Sequence, residues 1–133
     1  LAAETGHLVL TTLHTRDASK TAQRIVGAME TAEQDVIREQ LAMTLEAVLS
    51  QELLPRADGK GLVVACEILI ATPAVRQLIR ENKLEAINDA IQSGMSAGMI
   101  SKDASIKNLY QKKIITRETA AGAMRNPEIL GPK

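Results

Sequence analysis

The chain has 133 residues, 45% of them hydrophobic, and its 16 Lys+Arg balance 16 Asp+Glu, which describes about one domain of zero formal charge. That balance argues against sequence-independent phosphate binding along the whole chain and against a highly charged, disordered one. Tyr110 is the single aromatic residue, so stacking platforms for single-stranded nucleic acid are excluded and the core must come from Leu, Ile, Val, Ala and Met.

Residues 7–13, His-Leu-Val-Leu-Thr-Thr-Leu, form an aliphatic and β-branched run between Gly6 and the polar Thr15-Arg16-Asp17, which predicts a buried, parallel strand. Asp17 or Thr15 can cap the helix that follows, where Ala22, Ile25, Val26 and Met29 recur at helical spacing. Thr31 and Gln34 have the spacing of a capping box, and Ile37, Leu41, Thr44, Leu45 and Val48 continue as one stripe, predicting a helix of about twenty residues to about Ser50. Turn chemistry at Pro55 to Gly61, set between residues 51–54 and 62–70, predicts a β-hairpin.

Thr72-Pro73 is a helix start, with Thr72 as the cap and Pro73 where its missing N–H costs nothing. Beyond it the pattern is helical: Val75, Leu78 and Ile79, then Leu84, Ile87 and Ile91, then Ile106, Leu109 and Tyr110, with breaks at Asn82, Gly94 to Gly98 and Thr116, and a close at Asn126-Pro127. The fold class expected is α/β: strands mixed with helices over the first 70 residues and a small helical bundle after them.

Cys66 is alone, so no internal disulfide is expected, and with only His7 and His14 beside it no metal site is expected either. No apolar run approaches the roughly 20 residues of a membrane span and no leader pattern opens the chain, which fits a cytoplasmic protein with no direct membrane span. Leu1-Ala2-Ala3-Glu4 reads as the end of a helix, so the chain is read as a fragment. The five methionines are dispersed and suit gap-filling in an aromatic-poor core.

On a strand, His7 and His14 fall on opposite faces, so they do not pair on a metal. Ligands of open α/β sheets lie at the carboxyl ends of parallel strands, which favours His14 with Thr12 and Thr15 as the functional cluster. Each histidine equally fits a strand end where it satisfies backbone groups. Residues 29–52 carry six acidic side chains against Arg38, and residues 101–117 five basic ones against Asp103, patterns that serve either as solvated faces or as docking surfaces.

Ala3-Glu4-Thr5-Gly6-His7-Leu8-Val9-Leu10-Thr11-Thr12-Leu13-His14-Thr15 resembles, almost letter for letter, the histidine box of the secretion ATPase superfamily. Ala74-Val75-Arg76-Gln77-Leu78-Ile79-Arg80-Glu81 resembles the Ala-Ile-Arg-Asn-Leu-Ile-Arg-Glu signature of its twitching-motility branch, the type IV pilus retraction ATPases, and departs at Val75 and Gln77. The residues flanking the hairpin are similar to that branch too. The single cysteine is unlike the four-cysteine insertion of the pilus extension and type II secretion ATPases.

The resemblance implies the carboxy-terminal part of a RecA-like P-loop ATPase core over residues 1–71, with histidine box and hairpin, and a helical subdomain over 72–133. It implies ATP hydrolysis with Mg²⁺ in a homohexameric, cytoplasmic motor that works against a pilus platform protein of the inner membrane, without nucleic acid. The sequence has no Gly-rich Lys-Ser/Thr loop and no Walker B segment, so the fragment alone is expected to hold no cofactor and to be inactive. His14 is expected to sense the γ-phosphate, with Thr12 and Thr15 near the nucleotide, and His7 to serve structure or an interface. Arg24 is expected at an interface or in a core salt bridge, and Arg76, Arg80 and Glu81 on a force-coupling surface, unless they form only a solvated helix face. A secretion or extension ATPase, or a non-catalytic adaptor of the same fold, is the alternative.

Overall fold

The computed structural model describes residues 2–132. A 3₁₀ turn at Ala3–Thr5 closes on Gly6, whose φ of 87° is the left-handed conformation that glycine adopts without penalty. Residues 7–15 then run without regular secondary structure into helix α1, Ala18–Gly27. The strand expected at 7–13 does not form: Leu8 is 84% and Leu10 87% exposed, and Val9 is exposed beside them. A parallel strand buried on both faces needs hydrogen-bonded neighbours and covering helices. Among the described residues the sheet is a two-stranded hairpin, and it does not pair with this segment.

Asp17 caps α1, its Oδ1 accepting from the Lys20 N–H at 2.7 Å. Ala22 and Val26 face the core as the stripe predicts, whereas Met29 lies beyond the helix and is exposed. The Thr31 capping box does not form. A 3₁₀ turn at Thr31–Glu33 leads into α2, Gln34–Thr44, and Gln34 Nε2 turns back to the Met29 carbonyl at 3.3 Å. The twenty-residue helix expected here is thus cut to eleven residues. Its last part becomes strand β1, Ala47–Pro55, because nine residues pair in antiparallel register with β2, Leu62–Ile70, from Ala47 opposite Ile70 to Pro55 opposite Leu62. The ladder satisfies the backbone of 47–50 while placing Ser50 and Leu54 inside, a pattern that helical periodicity had absorbed.

The hairpin turn is held by Arg56 and Asp58, paired at 2.9 Å, with Asp58 Oδ1 also accepting from the Lys60 N–H at 2.9 Å. Helix α3, Pro73–Arg80, starts as expected, Thr72 Oγ1 accepting from the Val75 N–H at 3.4 Å. Asn82, at φ 57°, ends that region, and α4, Ile87–Ser93, α5, Lys102–Gln111, and α6, Arg117–Ala123, complete the helices.

Two apolar clusters hold the fold. One gathers Ala18 and Ala22 of α1, Ala42 of α2, Leu69 of β2, Val75 and Ile79 of α3, and Leu84, Ile87, Ile91 and Met99. The other joins Leu54 and Ala65 of the hairpin to Ile106, Ile115, Ala120 and Met124. The first spans residues from α1 to Met99, and α1 is fixed by packing against α2, α4 and the Leu84–Ala86 turn as well as by its cap. The opposite face of the hairpin leaves Leu49, Leu53, Leu62 and Val64 exposed.

Candidate functional site

The segment that carries the histidines meets α1 at an open depression of about 380 Å³ lined by His14, Thr15, Arg16, Lys20, Gln23 and Arg24. Three of the six carry fixed positive charge, whereas the N–H groups of Ala18 and Lys20 in the first turn of α1 are already taken by the carboxylates of Glu67 and Asp17. Backbone and side chain are pinned together at this point. Thr15 Oγ1 lies 2.7 Å from Thr21 Oγ1, and Thr21 Oγ1 donates to the Asp17 carbonyl at 2.9 Å. A concave surface with an imidazole, a hydroxyl and three cations suits an anionic ligand better than an apolar one.

The structure therefore brings His14, Thr15 and Arg24 to one place and leaves other expected residues outside it. Thr12 is exposed on the extended segment and does not line the depression. His7 sits apart, its Nδ1 3.0 Å from Thr5 Oγ1. Arg16, Lys20 and Gln23 join the site without having been expected there. Lys20 and Arg24, one helical turn apart on α1, are the signal in the sequence that aligns two of these cations, and Arg16 joins them from just before the cap.

Arg76 and Arg80 lie elsewhere, on the side of α3 that meets α2, and Glu81 follows at the end of that helix. Arg76 Nη1 donates to the Ala42 carbonyl at 2.7 Å and to the Met43 carbonyl at 3.1 Å, and its Nη2 is 3.4 Å from Glu46 Oε1. It thereby satisfies carbonyls in the last turn of α2, where a cation also meets the negative dipole end. Arg80 Nε pairs with Glu39 Oε1 at 3.0 Å. Glu81 takes a hydrogen bond from Gln77 at 2.6 Å and pairs with Lys83 at 2.7 Å, contacts that hold its carboxyl below the usual range. With Glu52 paired to Lys102 and Asp35 to Arg38, much of the acidic run of 29–52 is engaged within the chain.

A buried carboxylate ties these regions together. Glu67 on β2 is 1% exposed, and its Oε1 accepts from the Ala18 N–H at 3.0 Å while Oε2 receives Arg125 Nη1 at 2.9 Å and the Lys102 N–H at 3.4 Å. Arg125 Nη2 also lies 3.4 Å from Asp17 Oδ2, and the N–H groups of Arg125 and Asn126 donate to the two oxygens of Asp103 at 2.8 and 2.9 Å. Burial works against the Arg125 charge, but the hydrogen bond to Glu67 and the carboxylates of Glu67, Asp17 and Asp103 outweigh it and raise its pKa. One charged residue inside the apolar run of β2 is the sequence signal for such a hub, since an unpaired buried carboxylate would be costly.

A model of the type II/IV secretion system protein family matches residues 1–121. The chain belongs to that family. Among curated relatives, a twitching motility protein of Neisseria gonorrhoeae is 48% identical over 127 residues, covering 96% of this chain and 34% of its own length. The type IV pilus retraction ATPase PilT of Pseudomonas aeruginosa is 46% identical over 127 residues, covering 96% of this chain and 37% of that protein. The crystal structure of the pilus retraction motor PilT with bound ADP superposes with a TM-score of 0.83 at 40% identity, over 97% of this chain and 36% of the other. The chain thus spans about a third of the length of the relatives it matches. Its mixed helix and strand architecture and its antiparallel hairpin are those of the family member's carboxy-terminal part.

Among the described residues no group of three or more His, Cys, Asp or Glu side chains converges. No helix among them is long and apolar enough to cross a membrane.

Proposed function

We propose that this chain is the carboxy-terminal part of a cytoplasmic, homohexameric ATPase that retracts type IV pili, acting against a platform protein at the inner membrane. The likeness to the ADP-bound retraction motor along nearly the whole chain carries this reading. The placement of His14, Thr15, Arg16, Lys20 and Arg24 around one concave surface supports it, because that set offers proton donors and positive charge to a polyphosphate.

In this reading residues 1–71 complete the ATPase core and residues 72–133 its helical continuation. Mg²⁺ neutralises phosphate charge when bound, through ligands outside the described residues. His14 donates a hydrogen bond toward the γ-phosphate and loses it after hydrolysis, while Arg24 and Lys20 hold the anion's charge or a neighbouring subunit's carboxylate. Thr12 and His7 lie on the extended segment, where they serve its packing against the rest of the ring. Arg76 and Arg80 couple force by joining α3 to α2, with Glu81 steadied by Gln77 and Lys83 at the end of the same helix.

The test is ATP turnover by the full-length protein. The wild type hydrolyses ATP, and His14→Ala lowers kcat about a hundredfold or more, the scale of a lost proton-donating group, with KM little changed. A full-length protein without ATP turnover, or one whose turnover ignores His14→Ala, would overturn the assignment.

A further inference from the structure

We propose that Arg125 is a positioning residue for the depression around His14, acting through Asp17 and Glu67. Thr15, Arg16 and Lys20 line that depression from the turn that opens α1, with His14 just before it and Gln23 and Arg24 following on the helix. Arg16 precedes Asp17, Lys20 receives its cap, and Thr15 bonds to Thr21, which itself donates to the Asp17 carbonyl. The guanidinium of Arg125 reaches this turn by two routes, directly to Asp17 Oδ2 at 3.4 Å and through Glu67, whose other oxygen takes the Ala18 N–H at 3.0 Å.

The remote end of the clamp is equally fixed. Asp103 binds the N–H groups of Arg125 and Asn126, so the guanidinium is presented from a backbone anchored to the start of α5. Glu67 meets the same helix start through the Lys102 N–H. One cation paired with two carboxylates, on a backbone held by a third, thereby locks the first turns of α1 and α5 to β2. An arginine suits this place because its planar fork addresses two carboxylates at once, which a lysine ammonium on a flexible stem does less well. Arg125 is 34% exposed and belongs to neither apolar cluster, so its replacement removes no core packing, although it leaves the buried Glu67 with only the Ala18 and Lys102 N–H donors.

Two measurements test this. In the 133-residue chain, native-state hydrogen exchange is followed for Arg125→Gln and Arg125→Lys. Arg125→Gln is expected to speed exchange of the Ala18 and Lys20 amides about tenfold or more, the scale of a lost charged hydrogen bond, while the Ile79 and Ile91 amides keep their rates. Arg125→Lys is expected to restore part of the protection. Uniform acceleration at all four amides, or none, overturns the clamp.

The second measurement rests on the ATPase reading and uses the full-length protein. Assayed at a temperature where wild type and variant are both folded, Arg125→Gln is expected to lower kcat about tenfold at unchanged KM for ATP, with partial rescue by Arg125→Lys. Wild-type kcat in the glutamine variant overturns the positioning role. A wild type without ATP turnover would sink the proposed function instead, and the exchange data on Ala18 and Lys20 would still decide the clamp.

Discussion

Replacing Arg76 by alanine should destabilise the chain far more than the same change at Arg80, although both arginines sit on α3 and both reach toward α2. Arg76 makes two charge-assisted hydrogen bonds to the Ala42 and Met43 carbonyls, and its side chain is only 22% exposed. Hydrogen bonds with a charged partner are worth ~1.5–3 kcal/mol each and a cation at a helix carboxyl end adds ~0.3–1 kcal/mol. The two bonds share one guanidinium and are partly replaced by water, so their loss is not additive. The Glu46 partner is largely exposed and contributes little.

The expected cost of Arg76→Ala is therefore about 2–3 kcal/mol, a melting-temperature drop of roughly 7–10 °C for a chain of this size. Arg80 offers one ion pair with an exposed Glu39, worth about 0–1 kcal/mol. Urea denaturation of both variants, read by circular dichroism, gives the comparison directly. Equal costs for the two, or a cost for Arg76→Ala below about 0.5 kcal/mol, would refute the view that Arg76 closes the end of α2.

Gly94→Ala should cost about 1–3 kcal/mol by chemical denaturation, because an added Cβ would lie 2.6 Å from Met99 Sδ and 2.9 Å from the Ala90 carbonyl oxygen. The methionine can swing aside but the carbonyl belongs to α4. Hydrogen bonding to Arg56 holds the Asp58 carboxyl below its ordinary range, so its folded pKa is lower than its unfolded one. Its contribution is then present above the unfolded pKa and fades as pH falls through the folded value. An NMR titration should find Asp58 the more acidic for this contact, and Arg56→Ala should return it toward the ordinary value.

The family and the helical half were legible in the sequence, because caps and breaks there are local. Thr72-Pro73, Asn82, Gly94 to Gly98 and Thr116 each set a boundary through their own backbone preference. The region from 31 to 55 was not, since Val48 fits a helical stripe with Leu45 and a strand face with Ser50 and Leu54 alike. Pairing across nine residues of a distant strand decides between them, and that is not local information. The His7 to Leu13 run has the composition of a buried strand, yet composition cannot supply the neighbours that bury it. At the site, the histidine box led to His14 and Thr15, while Arg16, Lys20 and Gln23 needed the helix start to be placed first. Glu67 and Arg125 became visible only when β2, α5 and the 124–126 turn met.

The bare stretch from Leu8 to Leu13 has a thermodynamic consequence. Its backbone makes no backbone hydrogen bond to another described residue, so nothing in the chain offsets the entropy of holding it straight. Fixing six residues costs roughly 6–9 kcal/mol at about 1–1.5 kcal/mol each. Covering Leu8, Val9, Leu10 and Leu13 returns a similar sum, roughly 6–10 kcal/mol at about 1.5–2.5 kcal/mol each. The near cancellation means that a partner covering this segment would gain its net stability from hydrogen bonds rather than from the apolar burial. The two histidines thus flank a stretch whose shape no backbone hydrogen bond to another described residue fixes.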